Sequence, residues 1–277
     1  MHNDRFIRVT DPADPLISEF VNIRERDLRR VQGRFIAEGT VVLRMLAEAD
    51  QRALSGFAID ALLLLENRVE GLSEVLATLR DDVPIYVADK TVMNAIVGFD
   101  IHRGVLASAI RREQRTPADL LASLPQNALV VAAAGIANHD NIGSIFRNAA
   151  AFDADAVLLD DECCDPLYRK AIRVSVGAVL KVPYAISTST QELVAALRQQ
   201  GFALWGLSPR GEMDIRAIAT SPRMALLTGT EGEGLPTEII DTIRTARIAQ
   251  APGLDSLNAA TATGIALHAI ASAMGRI

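Results

Sequence analysis

Apolar residues recur along this chain in two rhythms, short continuous runs and helical spacing, and the two alternate. Leu16, Phe20, Ile23, Leu28 and Val31 fall at roughly helical intervals with arginines between them, which predicts a helix over 16–32. A helix over 38–49, an apolar strand over 58–65, a helix over 72–80 and a strand over 85–87 follow. His102-Arg103-Gly104-Val105-Leu106-Ala107 reads as a turn feeding one more strand. That alternation predicts a small α/β domain ending near residue 108.

Arg111-Arg112-Glu113-Gln114-Arg115-Thr116-Pro117 is charged, carries a proline and separates two periodic regions, as a linker does. Beyond it the chain repeats strand, turn and helix. Residues 128–136 form a continuous apolar run, the signature of a strand buried on both faces of a parallel sheet. A helix over 141–152 places Ile142, Ile145, Phe146 and Ala149 on one stripe. Further strands are expected at 156–159, 203–207, 224–227 and 247–249, with a last, alanine-rich helix running from Ser256 to Met274. The fold class is therefore α/β, divided as 1–110, a linker over 111–124, and 125–277.

Composition narrows the chemistry. The chain of 277 residues is 49% hydrophobic but only 4% aromatic, so its core is aliphatic. A net charge of −6 works against nucleic-acid binding, which wants Lys and Arg, unless basic residues cluster locally. Arg24, Arg26, Arg29, Arg30 and Arg34 do cluster, against only Glu25 and Asp27. They form either a solvated helix face or a patch for RNA phosphates. Cys163 and Cys164 are adjacent and the four histidines are scattered, so neither a disulfide nor a zinc site is expected. No apolar run approaches a membrane span, and a cytoplasmic setting is expected.

Three segments concentrate glycine and small polar residues where predicted strands meet helices, the place where α/β sheets bind ligands. In the first, 141–147, Asn141 is suited to capping a helix, and Arg147 lies off the apolar stripe. Arg147 either pairs with Asp153 or Asp155 or reaches a ligand. In the second, Gly229-Thr230-Glu231-Gly232-Glu233-Gly234-Leu235, the glycines admit close backbone approach, and Glu231 either caps a helix or faces substrate. The loop matches neither GxGxxG nor GxxxxGK[ST], which weakens a nucleotide-binding reading. In the third, Ile248 to Asn258, Ser256 and Asn258 are candidate caps of the last helix.

Taken together, the three resemble the signature motifs of the SpoU (TrmH) branch of the SPOUT RNA methyltransferases. They correspond to N-x-G-x-x-x-R, L-x-G-x-E-x-x-G-L and I-P-M-x-G-x-x-x-S-L-N, in the family's order. Asp165-Pro166 and residues 173–178 add to the likeness, which covers about 128–273. Residues 28–108, with Phe35-Ile36-Ala37-Glu38-Gly39 and His102-Arg103-Gly104-Val105, resemble the substrate-binding domain often fused in front, which is related to ribosomal proteins that bind bent (kink-turn) RNA. The chain departs from the family at Asn138-His139, where Asp-Pro is usual, at Ala249-Gln250 in place of Pro-Met, and at Pro252 in place of a glycine.

The resemblance implies a SPOUT domain with a deep trefoil knot, S-adenosylmethionine as cofactor, and methylation of a ribose 2′-hydroxyl in RNA. Ribosomal RNA is favoured over transfer RNA because of the added front domain. It assigns Gly229, Ile248 and Leu257 to the cofactor and Arg147 to the target nucleotide. Asn141, Glu231, Ser256 and Asn258 would orient Arg147 and the ribose. Separately, on local charge rather than on the resemblance, Arg24, Arg29, Arg30 and Arg34 are expected to meet RNA phosphates. The resemblance also implies a homodimer through the C-terminal domain, in line with the apolar surplus on the last helix. Two other readings stay open: a non-catalytic RNA-binding or ribosome-assembly protein on the same fold, and a phosphate-using metabolic enzyme.

Overall fold

The computed structural model describes residues 5–21, 33–51, 56–98, 101–112, 114–253 and 256–277. The chain divides into two compact units. One comprises 1–113 together with 167–180; the other comprises 114–166 and 181–277.

The first unit is built on a five-stranded mixed sheet of β1 (Phe6–Val9), β2 (Arg34–Glu38), β3 (Phe57–Leu65), β4 (Ile85–Ala88) and β5 (Val105–Arg111), in the order β1-β4-β3-β5-β2. β1, β4 and β3 are parallel, whereas β5 runs antiparallel to both β3 and β2. Helices α1 (Thr40–Gln51), α2 (Ser73–Ala77) and α3 (Lys90–Val97) belong to this unit. α3 is delimited as its sequence dictates: the Asp89 side chain accepts from Val92 N at 2.8 Å, and Gly98 ends it in a left-handed turn. Ile17, Phe20, Leu63, Tyr86, Met93 and Leu106 share one apolar core. The segment 167–180 adds helix Arg169–Val174, which packs on β2, and buries Ala171, Ile172, Val179 and Leu180.

Two expectations change here. Of the helix expected over 16–32, residues Pro15–Phe20 form a 3-10 turn capped by Asp14, while 22–32 lie outside the described residues. Arg34–Glu38 is a strand, and α1 begins only at Thr40. Phe35, Ile36 and Ala37 are all buried, which a β-edge covered on both faces requires and which helical spacing could not reveal.

In the second unit, β6 (Ala128–Ala133) has the sequence ALVVAA and is buried at every position, as a strand covered on both faces must be. It lies within a sheet of β7 (Ala156–Leu159), β8 (Tyr184–Ile186), β9 (Ala203–Leu207), β10 (Met213–Asp214), β11 (Arg223–Thr228) and β12 (Arg244–Arg247). The order is β10-β12-β9-β11-β6-β7-β8 and every pairing is parallel. Helices α4 (Pro117–Ala122), α5 (His139–Ala151), α6 (Thr190–Gln199) and α7 (Ala259–Ala273) accompany it. The stretch read as a linker, 111–124, holds the last residue of β5 and all of α4, whose Leu120 and Leu121 are buried. The strand expected at 247–249 sits at 244–247, because Thr245 and Ala246 are the residues buried in the sheet.

Candidate active site

Parallel strands bring their C-terminal ends, and the loops that follow them, to one edge of the sheet. At that edge a cavity of about 940 Å3 is lined by the loops after β9 (Leu207 to Arg210), β11 (Thr228 to Leu235) and β12 (Ile248 and Gln250). Ser256 and Leu257, just ahead of α7, complete its wall. Its volume is at the upper end of the range for small-molecule sites. Gly229, Ile248 and Leu257 all line it, as do Glu231 and Ser256.

Asn141, Glu231 and Asn258 meet beside this cavity although 117 residues separate the first from the last. Asn141 Nδ2 donates to Glu231 Oε1 at 2.8 Å, and Asn258 Nδ2 donates to Asn141 Oδ1 at 2.8 Å. Asn258 Nδ2 also donates to Glu231 Oε1. One residue from each of the three segments thus contributes to a single hydrogen-bonded cluster. Asn141 is buried within α5 and caps nothing; Asn138 caps that helix, accepting from Asp140 N at 2.8 Å. At the last helix the cap is Asn258, whose Oδ1 accepts from Thr261 N at 3.1 Å, and Ser256 lies two residues before it, exposed. Asn258 therefore serves both helix and cluster with opposite ends of one amide.

Arg147 is exposed on α5, away from buried Ile142, Ile145, Phe146 and Ala149. The alternative of pairing with Asp153 or Asp155 is ruled out, because Arg276 takes both, with Nη2 3.2 Å from Asp153 and 2.9 Å from Asp155. Among the described residues nothing hydrogen-bonds or ion-pairs with the Arg147 guanidinium, so its charge is free for a ligand. Arg34 is different. Its Nη1 donates to Glu19 at 2.7 Å and also to Asp60, so two carboxylates already balance it. That commitment argues against the RNA contact expected of Arg34. Arg24, Arg29 and Arg30 lie outside the described residues.

Two glycines shape the loops. A Cβ on Gly229 would lie 2.2 Å from the carbonyl carbon and oxygen of Gly234, so glycine is needed there for the loop to close on itself. Gly135, at φ +66°, turns the chain from β6 towards α5, and Thr230 Cγ2 would stand 3.1 Å from a Cβ placed on it.

That turn is held by a residue the motifs did not single out. Buried Asp160, just past β7, accepts from Gly135 N at 3.0 Å, Cys163 N at 3.1 Å and Thr190 Oγ1 at 2.7 Å. An acidic residue directly after an apolar strand was the only sequence signal for it. Burial, with the Asp160 charge beside it, pushes the Cys163 thiol well above its ordinary range, which removes it as a nucleophile. Ser208, Arg210 and Gln250 are further lining residues that carried no role in the motifs. Among the described residues no three His, Cys, Asp or Glu side chains gather as a metal site requires.

A parallel α/β sheet with a ligand-sized cavity at its C-terminal edge, and an Asn-Glu-Asn cluster beside that cavity, defines a ligand-binding α/β domain. The sequence profile of the SpoU rRNA Methylase family matches residues 128–268. The chain belongs to that family of RNA methyltransferases. It is 38% identical over 271 residues to an uncharacterized tRNA/rRNA methyltransferase of Mycobacterium tuberculosis, covering 94% of this chain and 90% of that protein. Its structure is similar to that of an AdoMet-bound rRNA methyltransferase from Sinorhizobium meliloti, with TM-score 0.82 and 25% identity over 97% of this chain and 98% of the other. An RNA 2′-O ribose methyltransferase aligns with TM-score 0.77 and 26% identity, over 98% and 100% of the two chains.

Proposed function

We propose that this protein methylates a ribose 2′-hydroxyl in structured RNA, ribosomal RNA ahead of transfer RNA, using S-adenosylmethionine. The observation that carries the reading is the convergence of Asn141, Glu231 and Asn258 on the rim of the cavity. The residues present suit the cofactor. The cavity has the volume for it, Gly232 and Gly234 line it with open space where side chains would otherwise stand, and Gln250 offers a buried amide oxygen with no partner. Backbone groups of Gly229, Ile248 and Leu257 would hold it. When bound it supplies a methyl group on sulfonium, already a good electrophile, so the protein's work is to align and activate the hydroxyl.

Arg147 does this electrostatically. A guanidinium is too weak a base to take the proton itself. It instead stabilises the developing alkoxide, and a neighbouring RNA phosphate that it holds relays the proton to solvent water. The Asn141-Glu231-Asn258 cluster and Ser256 orient the ribose and fix the loops around it.

The first unit serves as the RNA-binding domain, with phosphate contacts from Arg24, Arg29 and Arg30. The second carries the family's knotted chain path. A homodimer in the cytoplasm completes the reading. It is supported by the groove between α5 and α7, lined by Ser144, Asn148, Phe152 and His268, where Ile265 remains 42% exposed. Light scattering should then give about 60 kDa, twice the 29.8 kDa of one chain.

The test is methyl transfer from labelled S-adenosylmethionine to ribosomal and transfer RNA, followed by alkaline hydrolysis. Label in a cleavage-resistant dinucleotide identifies a 2′-O-methyl ribose. Label on a base, or RNA binding with no transfer to either RNA, refutes the proposal.

A further inference from the structure

Gln250 lines the cavity, yet its amide oxygen is closed off from solvent and has no hydrogen-bond partner. It is the one cavity-lining residue with such a side-chain atom among the described residues. Folded chains seldom leave a buried acceptor unpaired, and such an atom is a standing cost until a water or ligand satisfies it. The chemistry of the donor follows from the surroundings. The charged lining residues, Arg210, Glu231 and Glu233, are exposed. A charged ligand group keeps its hydration beside them. A neutral acceptor shut away from water is matched at least cost by a neutral donor on a flat, weakly hydrated ring.

We propose that Gln250 is a specificity-determining residue: its amide oxygen accepts a hydrogen bond from the exocyclic amine of the adenine ring of the S-adenosyl cofactor. The inference rests on the methyl-transfer reading above. Ligand entry, with a small rotation of the side chain, exchanges an unsatisfied oxygen for a satisfied one. The methionine of the motif that residues 248–258 resemble carries no such acceptor, so this selectivity is a property of this chain's own residue.

Calorimetry on the full chain tests it with two ligands that cannot turn over: S-adenosylhomocysteine, and its analogue with hydrogen in place of the exocyclic amine. The parent protein should bind the amine-bearing ligand about five- to tenfold more tightly than the analogue. Gln250→Met and Gln250→Leu should bind the two alike, at the parent's affinity for the analogue. Without ligand, Gln250→Met should melt about 2–4 °C higher than the parent, because the unpaired oxygen is gone. A parent protein that binds both ligands equally, or a Met variant that still discriminates, overturns the inference and leaves methyl transfer standing. So does a lower melting point for the Met variant. A parent protein that binds neither ligand brings down the methyl-transfer reading and this inference together.

Discussion

Replacing Asn141 with Asp changes one NH2 into an oxygen while keeping the shape of the side chain and its acceptor for Asn258. In the native site Asn141 Nδ2 is 2.8 Å from Glu231 Oε1. The variant would set two carboxylates at that separation. At an effective dielectric of 20, two unit charges so close repel by about 6 kcal/mol. Asn141 is only 6% exposed and cannot turn into water. Glu231 is exposed, and solvent screening brings the expected penalty down to about 2–3 kcal/mol. The pair then retains one proton, and its upper pKa rises above the carboxylate range. The folded variant therefore binds more protons than its unfolded chain between about pH 4 and that raised value, and its stability falls as pH rises through this window. Urea unfolding of parent, Asn141→Asp and Asn141→Ala should show an Asp penalty that is small near pH 4.5 and about 2–3 kcal/mol at pH 8. The Ala variant, which gains no titrating group, should show a constant offset. An Asp penalty that does not change with pH would mean that Glu231 swings free, and that the cluster does not hold the β11 loop.

Other parts of the structure make equally specific demands. Arg147→Ala removes an exposed side chain, so unfolding free energy should stay within about 0.5 kcal/mol of the parent while methyl transfer falls at least about a hundredfold; loss of folding would assign Arg147 a structural role instead. Gly229→Ala should cost about 1–3 kcal/mol through the clash with Gly234, and should weaken cofactor binding by calorimetry even though the added methyl group meets protein rather than ligand. In the first unit, burial raises the Glu19 carboxyl pKa, with Asp60 adding to the effect and Arg34 offsetting part of it. Its folded pKa exceeds its unfolded one, so the parent loses stability as pH rises from the ordinary glutamate range through the raised value. Glu19→Gln should lack that decline; parallel stability curves for the two proteins would refute the placement of Glu19.

How much of this was legible in the sequence depended on how local the cause was. Continuous apolar runs located β6, β7, β9 and β11, because a strand covered on both faces writes itself as such a run. β8 and β10 escaped notice because they are three and two residues long, β1 because exposed Arg8 interrupts its apolar run, and β2 because its register is set by β5, some seventy residues away. At the site, the resemblance of the three segments to the family's motifs implied that Asn141, Glu231, Ser256 and Asn258 act together, but not which amide caps a helix and which sits in the cluster. That assignment depends on packing between α5 and α7. The competition for Asp153 and Asp155 was likewise settled by Arg276, at the far end of the chain. Gln250 showed only as a departure from a motif; its buried, unpaired oxygen is a property of the folded loop.

The return of residues 167–180 to the first compact unit bears on how the protein can be made. On the ribosome, β1 to β5 emerge early, but helix Arg169–Val174 and the buried Val179 and Leu180 follow more than fifty residues after β5 ends. At ordinary elongation rates the nascent unit waits several seconds for its last piece. During that interval β2, with Phe35 and Ile36, lacks the helix that will pack on it. A gene fragment cut after residue 113 would make that interval permanent and leave an apolar strand edge open to other chains. Anyone dividing this protein for study therefore does better to keep residue 180 with the first unit, by circular permutation or by a linker that brings 167–180 back to it.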